Sequence, residues 1–132
     1  MDDNNIKEFL KKDRFAEMLG IEILEAADGK AKARLEIQGK HLNAMDTVHG
    51  GTIFSLADLT LAAAANSYGT MAVALNVNIS FLKAAKGGVL YAEAIETSKN
   101  SKIGSYTINV TDSEGGLISS AQGMAYFKKD KF

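Results

Sequence analysis

One long apolar segment between two groups of alternating residues is the feature that most limits how this chain can fold. Residues 52–65 are rich in alanine and leucine, which favour a helix, and they follow the pair Gly50 and Gly51. On both sides of the segment, apolar residues recur at every second position, as in strands with one buried face. The links between the later strands are short, which favours antiparallel pairing. We therefore expect an α+β fold in which a curved antiparallel sheet wraps this one long helix.

A helix and a hairpin are predicted ahead of the central helix. Apolar residues recur at roughly helical spacing up to Gly20, which predicts a short N-terminal helix that covers a sheet edge or a barrel end. Residues 21–25 and 30–37 lie on either side of Asp28 and Gly29, a dipeptide typical of tight hairpin turns. These residues therefore predict two antiparallel strands.

Four further strands are predicted after the central helix. The first has one polar face and one apolar face, and its apolar face comprises Val73, Leu75, Val77, Ile79 and Phe81. The other three strands are predicted at residues 89–97, 103–112 and 117–128, separated by segments rich in glycine, serine and asparagine. Because the links are short, we expect the four strands to form a meander.

The composition of the chain limits the classes of function. A chain of 132 residues has the length of one domain, and we expect residues 1–132 to form a single domain. The 15 basic and 16 acidic side chains give a formal net charge of -1, which provides no general field to collect nucleic acid. The chain contains no cysteine, which excludes disulfides, thiolate metal sites and cysteine nucleophiles.

Targeting signals are not found in the sequence. The start of the chain lacks the basic and apolar regions of a signal peptide. The longest apolar segment is well below the ~20 residues that span a bilayer. We therefore expect a cytoplasmic protein that does not bind a membrane.

The residues best suited to chemistry lie at the start of the central helix and within it. A helix start at Gly50 offers free backbone amides, which bind anions. Asp58 lies among leucine and alanine residues, where an acid needs a partner or a function. Eight residues separate the two, roughly 12 Å along a helix, which is too far for both to touch one reacting carbon. If both act on that carbon, a two-fold dimer must bring Gly50 of one chain to Asp58 of the other.

The spacing of these residues resembles that of the hotdog-fold acyl-CoA thioesterases of the phenylacetic-acid-degradation type. The matching residues are His41, Asn43, His49, Gly50, Gly51 and Asp58, and the resemblance extends over nearly the whole chain. It implies a hotdog fold, with about six antiparallel strands around the central helix. It also implies hydrolysis of an acyl-CoA, aromatic or small to medium, without a cofactor, by a homo-oligomer that shares its sites within dimers and assembles as a tetramer.

The same resemblance assigns a role to each matching residue of the site. Gly50 matches the glycine whose amide holds the thioester carbonyl oxygen, and Asp58 matches the nucleophile or general base. Asn43 matches a polar residue near the carbonyl or the attacking water, and His49 matches a histidine that orients the thioester. An oxyanion donor contributes a rate factor on the order of 10²–10³, and a positioned base ~10²–10⁴.

Three positions depart from the family pattern. Asp46 replaces the usual glycine, although aspartate adopts left-handed backbone more readily than most residues. Ala74 replaces a frequent serine or threonine that contacts the water, so this chain has no hydroxyl there. Ala84 follows Lys83 at the position where the family usually has proline, which affects the geometry of the loop and any coenzyme A contact there.

Other interpretations of these residues are less favoured. A hotdog hydratase or dehydratase would use His49 with Asp58, and a non-catalytic acyl-CoA-binding protein would fit the missing hydroxyl at Ala74. A zinc site from His41, Asp46 and His49 lacks a recognisable ligand spacing, so we expect no metal. His41 is expected to shape its loop. Several lysines are interpreted as solvated charge rather than as ligands of the coenzyme A phosphates, namely Lys83, Lys86, Lys128 and Lys129.

Overall fold

A computed structural model gives the fold of the chain. It describes the backbone of residues 3–131 and the side chains from Asn5 to Lys131, so Met1, Asp2 and Phe132 of the expected domain lie outside the described residues. The elements are α1 (Asp3–Leu10), α2 (Arg14–Leu19), β1 (Ile21–Ala27), β2 (Lys30–Glu36), α3 (Gly50–Ala65), β3 (Thr70–Phe81), β4 (Val89–Lys99), β5 (Ile103–Thr111) and β6 (Leu117–Lys131). The strands form one six-stranded antiparallel sheet against α3. The predicted α+β class and the long central helix are confirmed.

The N-terminal helical region is divided into two helices. Asp13 caps the second of them, because its carboxylate accepts a hydrogen bond of 3.0 Å from the Ala16 amide. Gly20 ends that helix with left-handed backbone, at φ 84°, as the sequence predicts. Both helices pack against β1 and α3. The N-terminal region therefore covers the sheet edge formed by β1.

The hairpin between β1 and β2 is confirmed. Ala27 pairs with Lys30, which leaves Asp28 and Gly29 as a two-residue loop. Both have positive φ, 53° and 79°, as the preferred turns of two-residue hairpins require.

The prediction of a four-stranded meander is wrong. The strand order is β1-β2-β4-β5-β6-β3, so β4, β5 and β6 form a meander, whereas β3 pairs with β6 at the sheet edge. Residues 82–88 connect β3 to β4. Seven extended residues reach ~23 Å, and three strand spacings require only ~14 Å. A short link can therefore cross the end of the sheet, and it does not force its two strands to be neighbours.

A β-bulge divides the apolar face that the sequence predicts for β3. The pairing with β6 shifts between Ala74 and Asn76, so Leu75 is an extra residue. Ala74 lies opposite the buried Ala125, and Asn76 lies opposite the exposed Met124. The bulge thus reverses the alternation. The helix side of β3 comprises Ala72, Ala74, Val77 and Ile79, and Val73 lies on the other face.

Small residues let α3 lie close to the sheet. A Cβ at Gly123 of β6 would be 2.9 Å from a Leu61 methyl of α3, so a larger residue there would force the Leu61 side chain or the helix to shift. Ala63 and Ala64 are fully buried in the same core. This close packing fixes α3, and with it the positions of Gly50 and Asp58. Within residues 3–131, no helix combines the length and the apolarity needed to cross a membrane.

Candidate active site

The start of α3 leaves one backbone amide free. The His49 carbonyl accepts hydrogen bonds from the Thr52 and Ile53 amides, at 2.9 and 3.2 Å. The Gly51 amide donates to the His49 side chain at 2.8 Å. Among the described residues, the Gly50 amide has no acceptor. The positive end of the helix dipole therefore presents a single unpaired N–H group at Gly50.

His49 combines a capping bond with a free donor. Its Nδ1 accepts the bond from Gly51, so the proton of the neutral ring is on Nε2. The residue is exposed. An Nε2–H group therefore remains next to the helix start, where it can donate to a bound molecule.

Asn43 holds the loop that precedes the helix. Its Oδ1 accepts hydrogen bonds from the Met45 and Thr47 amides, at 2.9 and 3.2 Å, and its Nδ2 donates to the Thr47 hydroxyl at 3.0 Å. Asp46 lies in the same turn with φ 60°, which agrees with the expectation that aspartate tolerates left-handed backbone there. The Asn43 amide is therefore largely occupied within its own loop.

Asn43 and Gly50 line one cavity of about 320 Å³. Phe81 forms another wall, and a Cβ at Gly50 would lie 3.4 Å from its ring. Lys83 also lines the cavity, and its ammonium is 3.3 Å from the Asp112 carboxylate. The pKa of Asp112 is lowered, first by the hydrogen bond from the Gly116 amide and also by Lys83.

The link after Lys83 is ordered without proline. The Ala85 carbonyl accepts a 2.7 Å hydrogen bond from the Val48 amide, which ties this link to the loop before α3. The Lys83 amide bonds to the Ile118 carbonyl on β6. Backbone hydrogen bonds therefore hold this link in a chain that contains no proline.

Asp58 does not line the cavity at Gly50. It is half-buried in the middle of α3 and lines two smaller cavities, of about 160 and 190 Å³. Ala74 lines the first of these, and Gly50 lines neither. Burial raises the pKa of Asp58, and the nearby Asp13 carboxylate raises it further. Within one chain, the structure thus brings Gly50, Asn43 and His49 together and leaves Asp58 apart from them.

Asp13 is a residue of the site region that the sequence did not indicate. An aspartate before a helix is a common N-cap signal, but this signal identifies only the helix start. The proximity of Asp13 to Asp58 depends on how α2 packs on α3, for which the sequence carries no local pattern.

His41 is structural, as expected. The residue is buried, its Nδ1 accepts a 2.9 Å hydrogen bond from the Gln38 amide, and its Nε2 donates to the Leu19 carbonyl at 2.7 Å. Both ring nitrogens are therefore occupied by backbone groups. In the part of the chain that the structure describes, no three histidine, aspartate or glutamate side chains are grouped so as to hold a metal ion.

Comparisons with known proteins identify the family. The sequence model described as the thioesterase superfamily matches residues 45–119. A protein of Archaeoglobus fulgidus named "Putative esterase" is 41% identical over 96% of this chain and 84% of its own length. The acyl-coenzyme A thioesterase PaaI of Escherichia coli is 31% identical over 92% of this chain and 88% of its own length.

The structural comparison agrees with the sequence matches. The structure of the E. coli PaaI protein from the phenylacetic acid degradation operon superposes with a TM-score of 0.93 at 29% identity, over 97% of this chain and 94% of that chain. The six-stranded sheet around one central helix is thus the hotdog fold. This chain therefore belongs to the thioesterase superfamily and is a thioester hydrolase.

Proposed function

We propose that this chain hydrolyses acyl-CoA thioesters, with aromatic or small to medium acyl groups, at sites shared by two subunits. One observation carries the proposal. The unpaired Gly50 amide, a hydrogen-bond donor, and the half-buried Asp58, a carboxylate, line different cavities of one chain. The E. coli relative is named as an acyl-coenzyme A thioesterase, which supports coenzyme A as the leaving group.

The free edge of β3 supports a dimer. This strand has twelve residues, and within residues 3–131 it pairs with β6 on one side only. Leu75 and Phe81 on it are 55% and 54% exposed. A long apolar edge strand is a template for pairing with a second chain. Antiparallel pairing of two β3 strands about a two-fold axis would continue the sheet and place the two α3 helices antiparallel.

Association of two such dimers into a tetramer is also proposed. The outer face of the sheet carries several exposed apolar side chains, namely Tyr91, Ile95, Met124 and Tyr126. Apolar surface of this kind favours an interface between subunits.

The proposed chemistry uses the two groups on opposite sides of the thioester carbon. The carbonyl oxygen accepts a hydrogen bond from the Gly50 amide, with the His49 Nε2–H close by as a second donor. Asp58 of the partner subunit either attacks the carbon or takes a proton from an attacking water. If Asp58 attacks, the C–S bond breaks to leave an anhydride between Asp58 and the acyl group, the thiolate takes a proton from water, and a second water hydrolyses the anhydride to the free acid and Asp58. If water attacks, the proton that Asp58 takes passes to the sulfur as the C–S bond breaks, and the acid leaves directly. In both cases the sulfur leaves as the thiol of coenzyme A. Water is the only co-reactant, and no resident cofactor is required.

Thiol release from a set of acyl-CoA thioesters tests this function. We expect the purified protein to release free coenzyme A with saturation kinetics, and to sediment as a dimer or tetramer. Hydration of an enoyl-CoA without thiol release would identify a hydratase. Saturable acyl-CoA binding without turnover would identify a binding protein, and either result would reject the proposal.

The pH dependence of the reaction is expected to change in an Asp13→Asn variant. Asp58 must be ionised to act, so activity falls as the pH drops through its pKa, which is raised above the ordinary ~3.9. Removal of the Asp13 charge makes ionisation easier, so the acidic limb of kcat/KM should move to lower pH. Asparagine caps helices as well as aspartate, so α2 should persist.

A Glu17→Gln variant is the matched control for this change. Glu17 is an exposed carboxylate on the same helix as Ala16, and it lines neither of the two cavities beside Asp58. The described residues around the two cavities beside Asp58 include no titratable side chain other than Asp13. An acidic limb that stays in place in Asp13→Asn would show that Asp13 does not act on the catalytic group.

A further inference from the structure

One face of α3 is left open by its own chain. The residues of this helix that are not buried recur at the spacing of helical turns, so they lie along one side of it. We call this side the open stripe of α3, and it comprises Gly50, Gly51, Phe54, Ser55, Asp58 and Ala62. Every other residue of α3 is buried. The open stripe is therefore the side of the helix that a second molecule can reach.

Phe54 is the one large apolar side chain on the open stripe, and it is 37% exposed. Phe15 of α2 is 56% exposed and lines the same cavity, the one of about 190 Å³ beside Asp58. Two neighbouring phenyl rings in contact with water favour coverage by another apolar surface.

The groups on either side of Phe54 have opposite charge. Gly50 lies four residues before it, at the positive end of the helix dipole, and the Asp58 carboxylate lies four residues after it. If a second copy of α3 lies antiparallel about a two-fold axis, the positive end of each helix meets the carboxylate of the other. A second copy of this chain therefore has the charge pattern that fits the open stripe.

The position of the two-fold axis along α3 follows from the shared site. Gly50 of one chain and Asp58 of the other must reach the same thioester carbon, so they lie at about the same level of the paired helices. In an antiparallel pair, the axis then passes halfway between these two positions, at the level of residue 54. Phe54 is therefore the residue of the open stripe that meets its own copy.

We propose that the two Phe54 side chains of a dimer pack against each other on the two-fold axis and form the wall between its two active sites, an inference that rests on the proposed function. A thioester held between the Gly50 amide and the partner's Asp58 keeps the two helices apart. A pair of phenyl rings with centroids ~4.5–7 Å apart fills the space that this leaves on the axis. Phe54 is thus a positioning residue, because it sets the distance between the two helices without touching the reacting carbon.

Cysteine cross-linking tests the position of the axis, because the chain contains no cysteine of its own. In Phe54→Cys the two thiols face each other across the axis. We expect a bis-maleimide with a two-carbon spacer to convert most chains into covalent dimers on a denaturing gel. Thiols held in one dimer react at an effective concentration of ~mM, so bridging at micromolar protein should be ~10²–10³-fold faster than by chance collision and independent of protein concentration.

Ala62→Cys is the matched control. Ala62 lies on the same open stripe and is half-buried, but it is eight residues from the proposed axis, so its two copies are ~24 Å apart along the helices. The same reagent should leave this variant as single chains on the gel. A nitroxide label on Ala62→Cys gives a second measurement that keeps Phe54 in place, and the distance between the two labels should be near ~24 Å.

Three results would overturn the contact at Phe54. They are equal bridging in the two variants, no bridging in a Phe54→Cys protein that keeps the parent's unfolding midpoint, and labels at position 62 only ~12 Å apart, as an axis at Asp58 would give. Thiol release by the parent in any of these cases would leave the proposed function standing with a different dimer contact. If the parent releases no thiol from any acyl-CoA, the proposed function itself fails, whatever the cross-linking gives.

Discussion

An Asp58→Asn variant is expected to release thiol from acyl-CoA ~10²–10⁴-fold more slowly than the parent, the range that a positioned base contributes. Asparagine has nearly the same shape as aspartate but is neither a base nor a useful nucleophile. The half-buried site in α3 should therefore keep its packing while losing the reacting group. Thiol release at saturating substrate, with sedimentation to check the oligomer, measures the effect.

Unfolding of this variant separates a chemical loss from a structural one. The pKa of Asp58 is raised in the folded chain, so the ionised side chain destabilises the fold once the pH exceeds the ordinary aspartate pKa of ~3.9. Removal of that charge should leave the unfolding midpoint at pH 7 equal to or above that of the parent. The difference should vanish as the pH falls towards 4. A parent-like rate in Asp58→Asn would exclude Asp58 from the chemistry. An unfolding midpoint at pH 7 below that of the parent would mean that the slow rate results from a destabilised fold.

Local signals in the sequence were sufficient to predict the helices and strands and to identify the motif around α3. Asp28 and Gly29 specify a tight turn because both must adopt positive φ, and this requirement depends on nothing remote. The long helix follows from a run of alanine and leucine, and its free N–H group follows from the position of Gly50 as the first residue of that helix. Such features are encoded within a few residues, so a single sequence reveals them.

Features that depend on contacts between residues far apart in the sequence could not be predicted from it. A seven-residue link can cross the sheet end, so β3 is free to pair with β6, and link length alone does not choose between neighbours. The bulge at Leu75 has no glycine or proline to indicate it, so the alternation of apolar residues in the sequence is continuous across it. Asp13 reaches the surroundings of Asp58 only through the packing of α2 on α3.

Replacing Gly50 with proline is expected to remove the oxyanion donor while keeping the helix. Gly50 is the first residue of α3, where proline is favoured, and its amide makes no hydrogen bond within the described chain. His49 has φ −59° and ψ 136°, the extended conformation preferred before proline. We therefore expect kcat to fall on the order of 10²–10³-fold in Gly50→Pro, with little change in the unfolding midpoint.

Gly50→Ala is the control for this change, because alanine retains the amide. Its Cβ would lie 3.4 Å from the Phe81 ring, at the edge of ordinary contact, so most of the activity should remain. Thiol release from the same acyl-CoA compares the two variants. If Gly50→Pro is as active as Gly50→Ala, the amide of Gly50 does not hold the carbonyl oxygen.

Mixed dimers of Gly50→Pro and Asp58→Asn should regain activity that neither variant has alone. In a mixed dimer with shared sites, one site receives both defects and the other receives an intact Gly50 amide from one chain and an intact Asp58 from its partner. Free exchange at equal amounts makes about half of the dimers mixed, each with one of two sites intact, so about a quarter of the parent activity should return. Thiol release after co-expression or subunit exchange measures this recovery. A mixture with no more activity than the separate variants would place both groups in one subunit's site, which the distance along α3 opposes.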